Sequence, residues 1–189
     1  EVQYWQPAPR PGGDLSGTFD AARPGRHYLH FADVNGAGSI DPFTLRLSFI
    51  ASLDAFEPND SIGRASVLSA GGEVPFTIFP RNDADWYRVT VAEPGELAVT
   101  IDQGPENLDI SYRVLNIDRN ELVTWTPAYR KGGLTEGLAD LPLPGTYYLE
   151  VRDGNNDARS IEPATLSTGF TPTNGSNEPN DRFGDATPV

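Results

Sequence analysis

Apolar and polar residues alternate with a period of two through most of the chain, in short runs closed by Gly, Pro, Asn or Asp. Within residues 51–170 the runs are Val74–Phe79, Trp86–Ala92, Glu96–Asp102, Leu108–Asn116, Glu121–Thr126, Thr146–Arg152 and Ala164–Phe170. Successive side chains of a strand point to opposite faces, so each run gathers its apolar members on one side. The inward rows predicted in this way include Tyr87, Val89 and Val91, then Leu108, Ile110, Tyr112 and Val114, then Tyr147, Leu149 and Val151. One buried and one solvated face per strand is the pattern of antiparallel sheets packed face to face. Glu93-Pro94-Gly95 and Pro144-Gly145 are turn signals set directly before strands. No stretch sustains a 3.6-residue period, and these strands predict an all-β chain of antiparallel, jelly-roll-like β-sandwich modules in tandem.

The tandem arrangement follows from a repeat. Glu1, Trp5, Pro7 and Gly12-Gly13 match Glu121, Trp125, Pro127 and Gly132-Gly133, and Pro24-Gly25 matches Pro144-Gly145, an offset of 121 − 1 = 120. One inserted residue raises the offset to 121 from Ser39-Ile40 and Ser160-Ile161 onward, and Glu57-Pro58-Asn59-Asp60 recurs as Glu178-Pro179-Asn180-Asp181. A period of that length is a whole domain and not a solenoid unit. Residues 1–50 are thus expected to be the C-terminal half of a first module, 51–170 a complete module, and 171–189 a linker and the start of a third repeat, with Asn177–Val189 a candidate donor segment. In the half-module, Arg26–Ala32 presents His27, Leu29 and Phe31 on one face, and Phe43–Ile50 presents Phe43, Leu45, Leu47 and Phe49. Those faces need a partner sheet, so another segment or another chain is expected to complete them.

Composition narrows the function. The formal net charge of −13 and pI near 4.4 argue against nucleic acid and anionic membranes, which require clustered Lys and Arg. No run reaches the roughly 18 apolar residues of a membrane span. The absence of Cys removes disulfides, thiolate metal sites and cysteine nucleophiles together. An acidic surface also suits a hard cation such as calcium. The first residue is Glu1 and the sequence holds no Met, which fits a processed secreted chain or a piece of a longer one.

Three motifs stand in order: Phe56-Glu57-Pro58-Asn59-Asp60, then Asn82-Asp83-Ala84-Asp85-Trp86-Tyr87-Arg88-Val89, then Pro144-Gly145-Thr146-Tyr147-Tyr148-Leu149-Glu150-Val151. Together, over roughly residues 51–170, they resemble the bacterial pre-peptidase C-terminal domain family, whose relatives include the collagen-binding domains of secreted collagenases. The resemblance implies a β-sandwich, a secreted, extracellular or cell-surface location, and often calcium held where the leading segment meets the first sheet. Carried over by motif position, the implied ligands are Glu57, Asn59 and Asp60 with Asp83 and Asp85. The repeated motif supplies Glu178, Asn180 and Asp181, but no Asp-x-Asp follows it before Val189. The residue types agree with this chemistry, because calcium takes six to eight oxygen ligands from carboxylates, amides and backbone carbonyls. Asn-Asp as a simple turn or helix cap is the competing reading.

Catalysis finds little support. His27 and His30 fall on opposite faces of a strand, and no Ser occupies a nucleophile elbow. The acidic positions that recur lie in the metal motif and in turns, such as Asp33 and Asp153, so a glycosidase-type pair is not indicated. Trp5 and Trp125 recur, either packed on the sandwich edge or displayed to a partner. The chain is therefore expected to be a non-enzymatic extracellular protein whose calcium-stabilised modules self-associate head to tail as a filament, stalk or adhesin, or contact an extracellular polymer. The alternative is an accessory substrate-binding or secretion module of a secreted hydrolase.

Overall fold

The computed structural model describes residues 10, 12–21, 25–51 and 54–173. The chain divides into two compact units, Glu1–Ile50 and Ala51–Val189.

Among the described residues the second unit has a 3-10 turn, Ile62–Arg64, followed by nine strands: β1 (Ser66–Val67), β2 (Glu73–Phe76), β3 (Ala84–Val91), β4 (Gly95–Asp102), β5 (Ile110–Leu115), β6 (Glu121–Pro127), β7 (Thr135–Leu141), β8 (Gly145–Asp153) and β9 (Ala164–Pro172). One sheet has the order β1-β3-β8-β5-β6 and the other β2-β9-β4-β7. All ladders are antiparallel except the short β1–β3 pair, which is parallel. The predicted inward rows form the core. Tyr87, Val89, Tyr112, Val114, Leu149 and Val151 of the first sheet meet Phe76, Leu97, Val99, Ile101 and Leu166 of the second, all at 0–1% exposure. Each such side chain contributes about 1.5–3 kcal/mol by leaving water.

Edges are protected by residue choice. Pro75 sits in edge strand β2 and Pro127 ends edge strand β6, where a missing N–H costs the sheet nothing. Strand β7 has no counterpart in the alternation pattern. Its inward positions are Thr135, Gly137, Ala139 and Leu141, mostly small, while Leu138 faces out at 58% exposure.

The first unit differs from the second. Among the described residues of that unit no strand pairs, and every residue from Gly25 to Ile50 is exposed. Arg26–Ala32 and Phe43–Ile50 therefore form no ladder, and a single sandwich is evident. A strand is stable only when a neighbour takes up its N–H and C=O groups, and the described residues of this unit supply none.

Candidate metal site at the start of strand β3

The leading segment is tied to the sandwich by a few directed hydrogen bonds. The Trp86 N–H donates to the Asn59 carbonyl at 3.1 Å, and Ser66 Oγ donates to the Phe56 carbonyl at 3.1 Å. The Asp54 carboxylate accepts from the Phe56 N–H at 2.8 Å through one oxygen and from the Thr77 N–H at 2.9 Å through the other. These contacts lay Glu57–Asp60 across the beginning of β3. There the inward row runs Asp85, Tyr87, Val89, Val91, so its first position is a fully buried carboxylate. Asp83, two residues earlier, is buried as well. The turn before it places Asn82 at φ 65°, a left-handed conformation that Asn tolerates.

Glu57, Asp60 and Asp83 converge, with one carboxylate oxygen from each lying within 4.8 Å of the others. Two oxygens on one calcium ion, each 2.3–2.6 Å from it, can be no more than about 5 Å apart, so the spacing suits a shared ion. One Asp83 oxygen accepts from the Phe79 N–H at 2.8 Å, and the other is buried without a hydrogen bond. Both Asp85 oxygens and both polar atoms of the Asn59 amide are also buried and unsatisfied. Glu57 Oε2 accepts from the Asn59 N–H at 3.1 Å. Orphaned buried oxygens on this scale are destabilising unless a cation or protons compensate them.

The protonation chemistry reflects that demand. Burial pushes Asp83 up to about 8, reinforced by the charges of Glu57 and Asp60. Burial and then the neighbouring Asp83 and Asp54 raise Asp85 well above the usual carboxylate range. Burial also raises Glu57, with Asp60 and Asp54 adding to the shift. Like charges crowded in a low-dielectric site favour the protonated form, and a bound cation reverses that preference. The oxygen donor set fits a hard cation such as calcium: Glu57, Asp60 and Asp83 could hold one directly, with Asn59 and Asp85 as buried oxygen donors beside them. Asp85 lies outside the converged three. When bound, the ion would supply positive charge that links the leading segment to β3.

Asp54 is a member of this acidic group that sequence reasoning missed. Its position carries no repeat signal, since residue 175 is Gly, and its function is local, accepting two backbone N–H groups. Asn59 also begins an Asn-x-Ser triplet, but its side chain is fully buried, so it presents no acceptor for a glycan in the folded module. Glu178, Asn180 and Asp181 lie outside the described residues, as does Asn174.

A second group, Asp109, Asp153 and Asp157, is also close-set, and there Asp109 Oδ1 is buried without a hydrogen bond while Asp153 is well bonded. The Asp153 carboxylate accepts from the N–H groups of Asp109, Asp157 and Ala158 at 3.1, 2.8 and 3.0 Å. Lys131 pairs with Asp157 at 3.1 Å. Burial would raise Asp153, but its hydrogen bonds, that to Asp109 foremost, hold it below the usual value. This is the turn chemistry expected of Asp153. Trp125 is packed rather than displayed: the guanidinium carbons of Arg152 and Arg113 lie 3.8 and 4.9 Å from its ring centre, and Arg113 also bonds Glu150 at 2.6 Å.

Fold and site together define a two-sheet β module with an acidic cluster where its leading segment crosses β3. Residues 83–153 match the model of the bacterial pre-peptidase C-terminal domain, the family that the three motifs resemble. Asp83 and Asp85 fall inside that match, and Glu57, Asn59 and Asp60 fall before it. The pre-peptidase C-terminal domain of a collagenase from Bacillus anthracis is 16% identical, with a TM-score of 0.45, covering 55% of this chain and 93% of that one. A periplasmic inhibitor of g-type lysozyme from Aeromonas hydrophila is 16% identical, with a TM-score of 0.38, covering 57% and 97%. No curated protein sequence matches the chain. Among the described residues no helix is long and apolar enough to cross a membrane.

Proposed function

We propose that residues 51–173 are a non-catalytic, calcium-stabilised accessory module of a secreted protein. The observation that carries this reading is the convergence of Glu57, Asp60 and Asp83 beside the orphaned buried oxygens of Asn59 and Asp85. The match of residues 83–153 to the pre-peptidase C-terminal domain supports the accessory role. Calcium bound there fastens the segment Glu57–Asp60 to the start of β3. It does so by binding the leading segment and the β3 turn at once, which stabilises the folded state by mass action. Isothermal titration with calcium tests the assignment. One saturable site is expected in the native chain and none in Asp83→Ala; absence of binding to the native chain contradicts it.

The domain-length repeat favours a second reading, in which such modules follow one another as an extracellular array that self-associates head to tail or contacts a polymer. The candidate donor segment Asn177–Val189 lies outside the described residues. Electron microscopy of the native chain with calcium and with chelator separates the readings: filaments that disperse in chelator support assembly, and monomers in both conditions exclude it.

A further inference from the structure

The described residues between Arg10 and Ile50 reproduce several local turns of residues 130–170, although they form no sheet. Gly12 has φ 68° and Gly132 φ 67°, while Gly25 has φ 146° and Gly145 φ 154°. The Gly13 N–H donates to the Arg10 carbonyl at 3.0 Å, and the Gly133 N–H to the Arg130 carbonyl at 2.9 Å. Gly36 donates to the Asp33 carbonyl at 3.3 Å, and Asn156 to the Asp153 carbonyl at 3.2 Å. Ser39 Oγ accepts from Asp41 at 3.0 Å, and Ser160 Oγ from Glu162 at 3.0 Å. The Asp33 carboxylate takes the N–H groups of Asn35 and Ala37, much as Asp153 takes those of Asp157 and Ala158. The turns of a β7–β9 part are therefore present without its ladders.

The topology of the complete module explains what is lacking. β6 pairs only with β5, β7 only with β4, β8 with β3 and β5, and β9 with β2 and β4. No strand of the second half pairs with another of that half, so a β6–β9 segment cannot make a sheet from its own residues. Leu29, Phe31, Phe43, Leu45 and Leu47 are 43–77% exposed, whereas their counterparts Leu149, Val151, Ala164, Leu166 and Thr168 are 0–7% exposed. The cover of those counterparts comes from β2–β5. In this chain, residues 66–115 are already paired to their own β6–β9 and are not free to serve twice.

We propose that residues 10–50 are the β7–β9 part of a second sandwich, and that their partner is a β1–β5 half of the same kind of module. The proposal rests on the module fold and the repeat, and not on the calcium site. It also specifies the partner's chemistry. A Cβ on Gly137 would lie 2.5 Å from the Tyr112 hydroxyl oxygen, so glycine there makes room for an aromatic of β5. Gly17 holds the equivalent position, at an offset of 120, and calls for a large aromatic at the centre of the partner's β5 strand. Alternating strands of this kind are recognised through main-chain ladders and alternate side-chain pockets.

The test attaches a copy of residues 51–120, in phase, ahead of Glu1 of the full 189-residue chain and follows amide hydrogen exchange. Residues 26–32 and 43–50 are expected to gain protection on the order of 100-fold or more, approaching that of residues 146–152 and 164–170. Introducing Leu29→Asp with Leu45→Asp into the extended chain should remove the gain while residues 146–152 stay protected. Exchange of residues 26–32 and 43–50 as fast in the extended chain as in the 189-residue chain overturns the proposal, as does protection that survives both Asp substitutions.

Discussion

Asp83 and Asp85 stand where the inward row of β3 changes from apolar to acidic, and their chemistry follows from that position. A carboxylate there is desolvated by the same packing that buries Tyr87 and Val89. In chelator, where no cation compensates it, Asp83 is held protonated up to a pH of about 8 in the fold, against about 3.9 in the unfolded chain. A raised carboxylate favours the fold only while it is protonated. Its contribution is complete below the unfolded value and is lost as pH rises through the folded one. Urea midpoints in chelator should therefore fall from pH 5 to pH 8.5. In excess calcium the fall should vanish, because the ion replaces the proton. Asp60→Ala and Asp83→Ala should each abolish that difference between chelator and calcium, read from the same midpoints. The resemblance named Glu57, Asn59, Asp60, Asp83 and Asp85 as implied ligands, and the fold brings the carboxylates of Glu57, Asp60 and Asp83 together. Asp54 was not legible, because accepting the Phe56 and Thr77 N–H groups is a tertiary matter that no local pattern records.

At the scale of elements, strands could be read wherever the inward row carries large apolar side chains, as in β3, β5 and β8. β7 escaped because Gly137 and Ala139 face the core and Leu138 faces water. β1 escaped because two residues carry no periodicity. The same geometry ranks substitutions. Leu149→Ala, at the centre of the larger sheet, should cost about 2–5 kcal/mol through lost contacts and a cavity. Gly95→Ala should cost about 1–3 kcal/mol, since its Cβ would fall 2.5 Å from both the Phe170 ring and the Thr171 carbonyl oxygen. Leu138→Ala should change stability by no more than about 0.5 kcal/mol. Urea unfolding of the three variants checks the order, and a Leu138 effect equal to that of Leu149 would contradict the assigned faces.

For the whole molecule, the repeat was readable from the sequence, including which residues of the first fifty answer to β6–β9. What the sequence could not give was the pairing scheme. Only the observed sheet order shows that β6–β9 pair entirely with strands of the first half, and hence why residues 10–50 keep their turns yet form no sheet. Two classes of backbone should follow in the 189-residue chain, with slow amide exchange through β3, β4, β8 and β9 and fast exchange from Gly25 to Ile50, as mass spectrometry would record. Calcium is proposed to fasten the leading segment to the sandwich. Thermal unfolding of the native chain and of Asp83→Ala, each in excess calcium and in chelator, tests it most directly. The account predicts a higher Tm with calcium for the native chain and superimposable curves for the variant; a native Tm indifferent to calcium, or a variant that keeps the full calcium response, would contradict it.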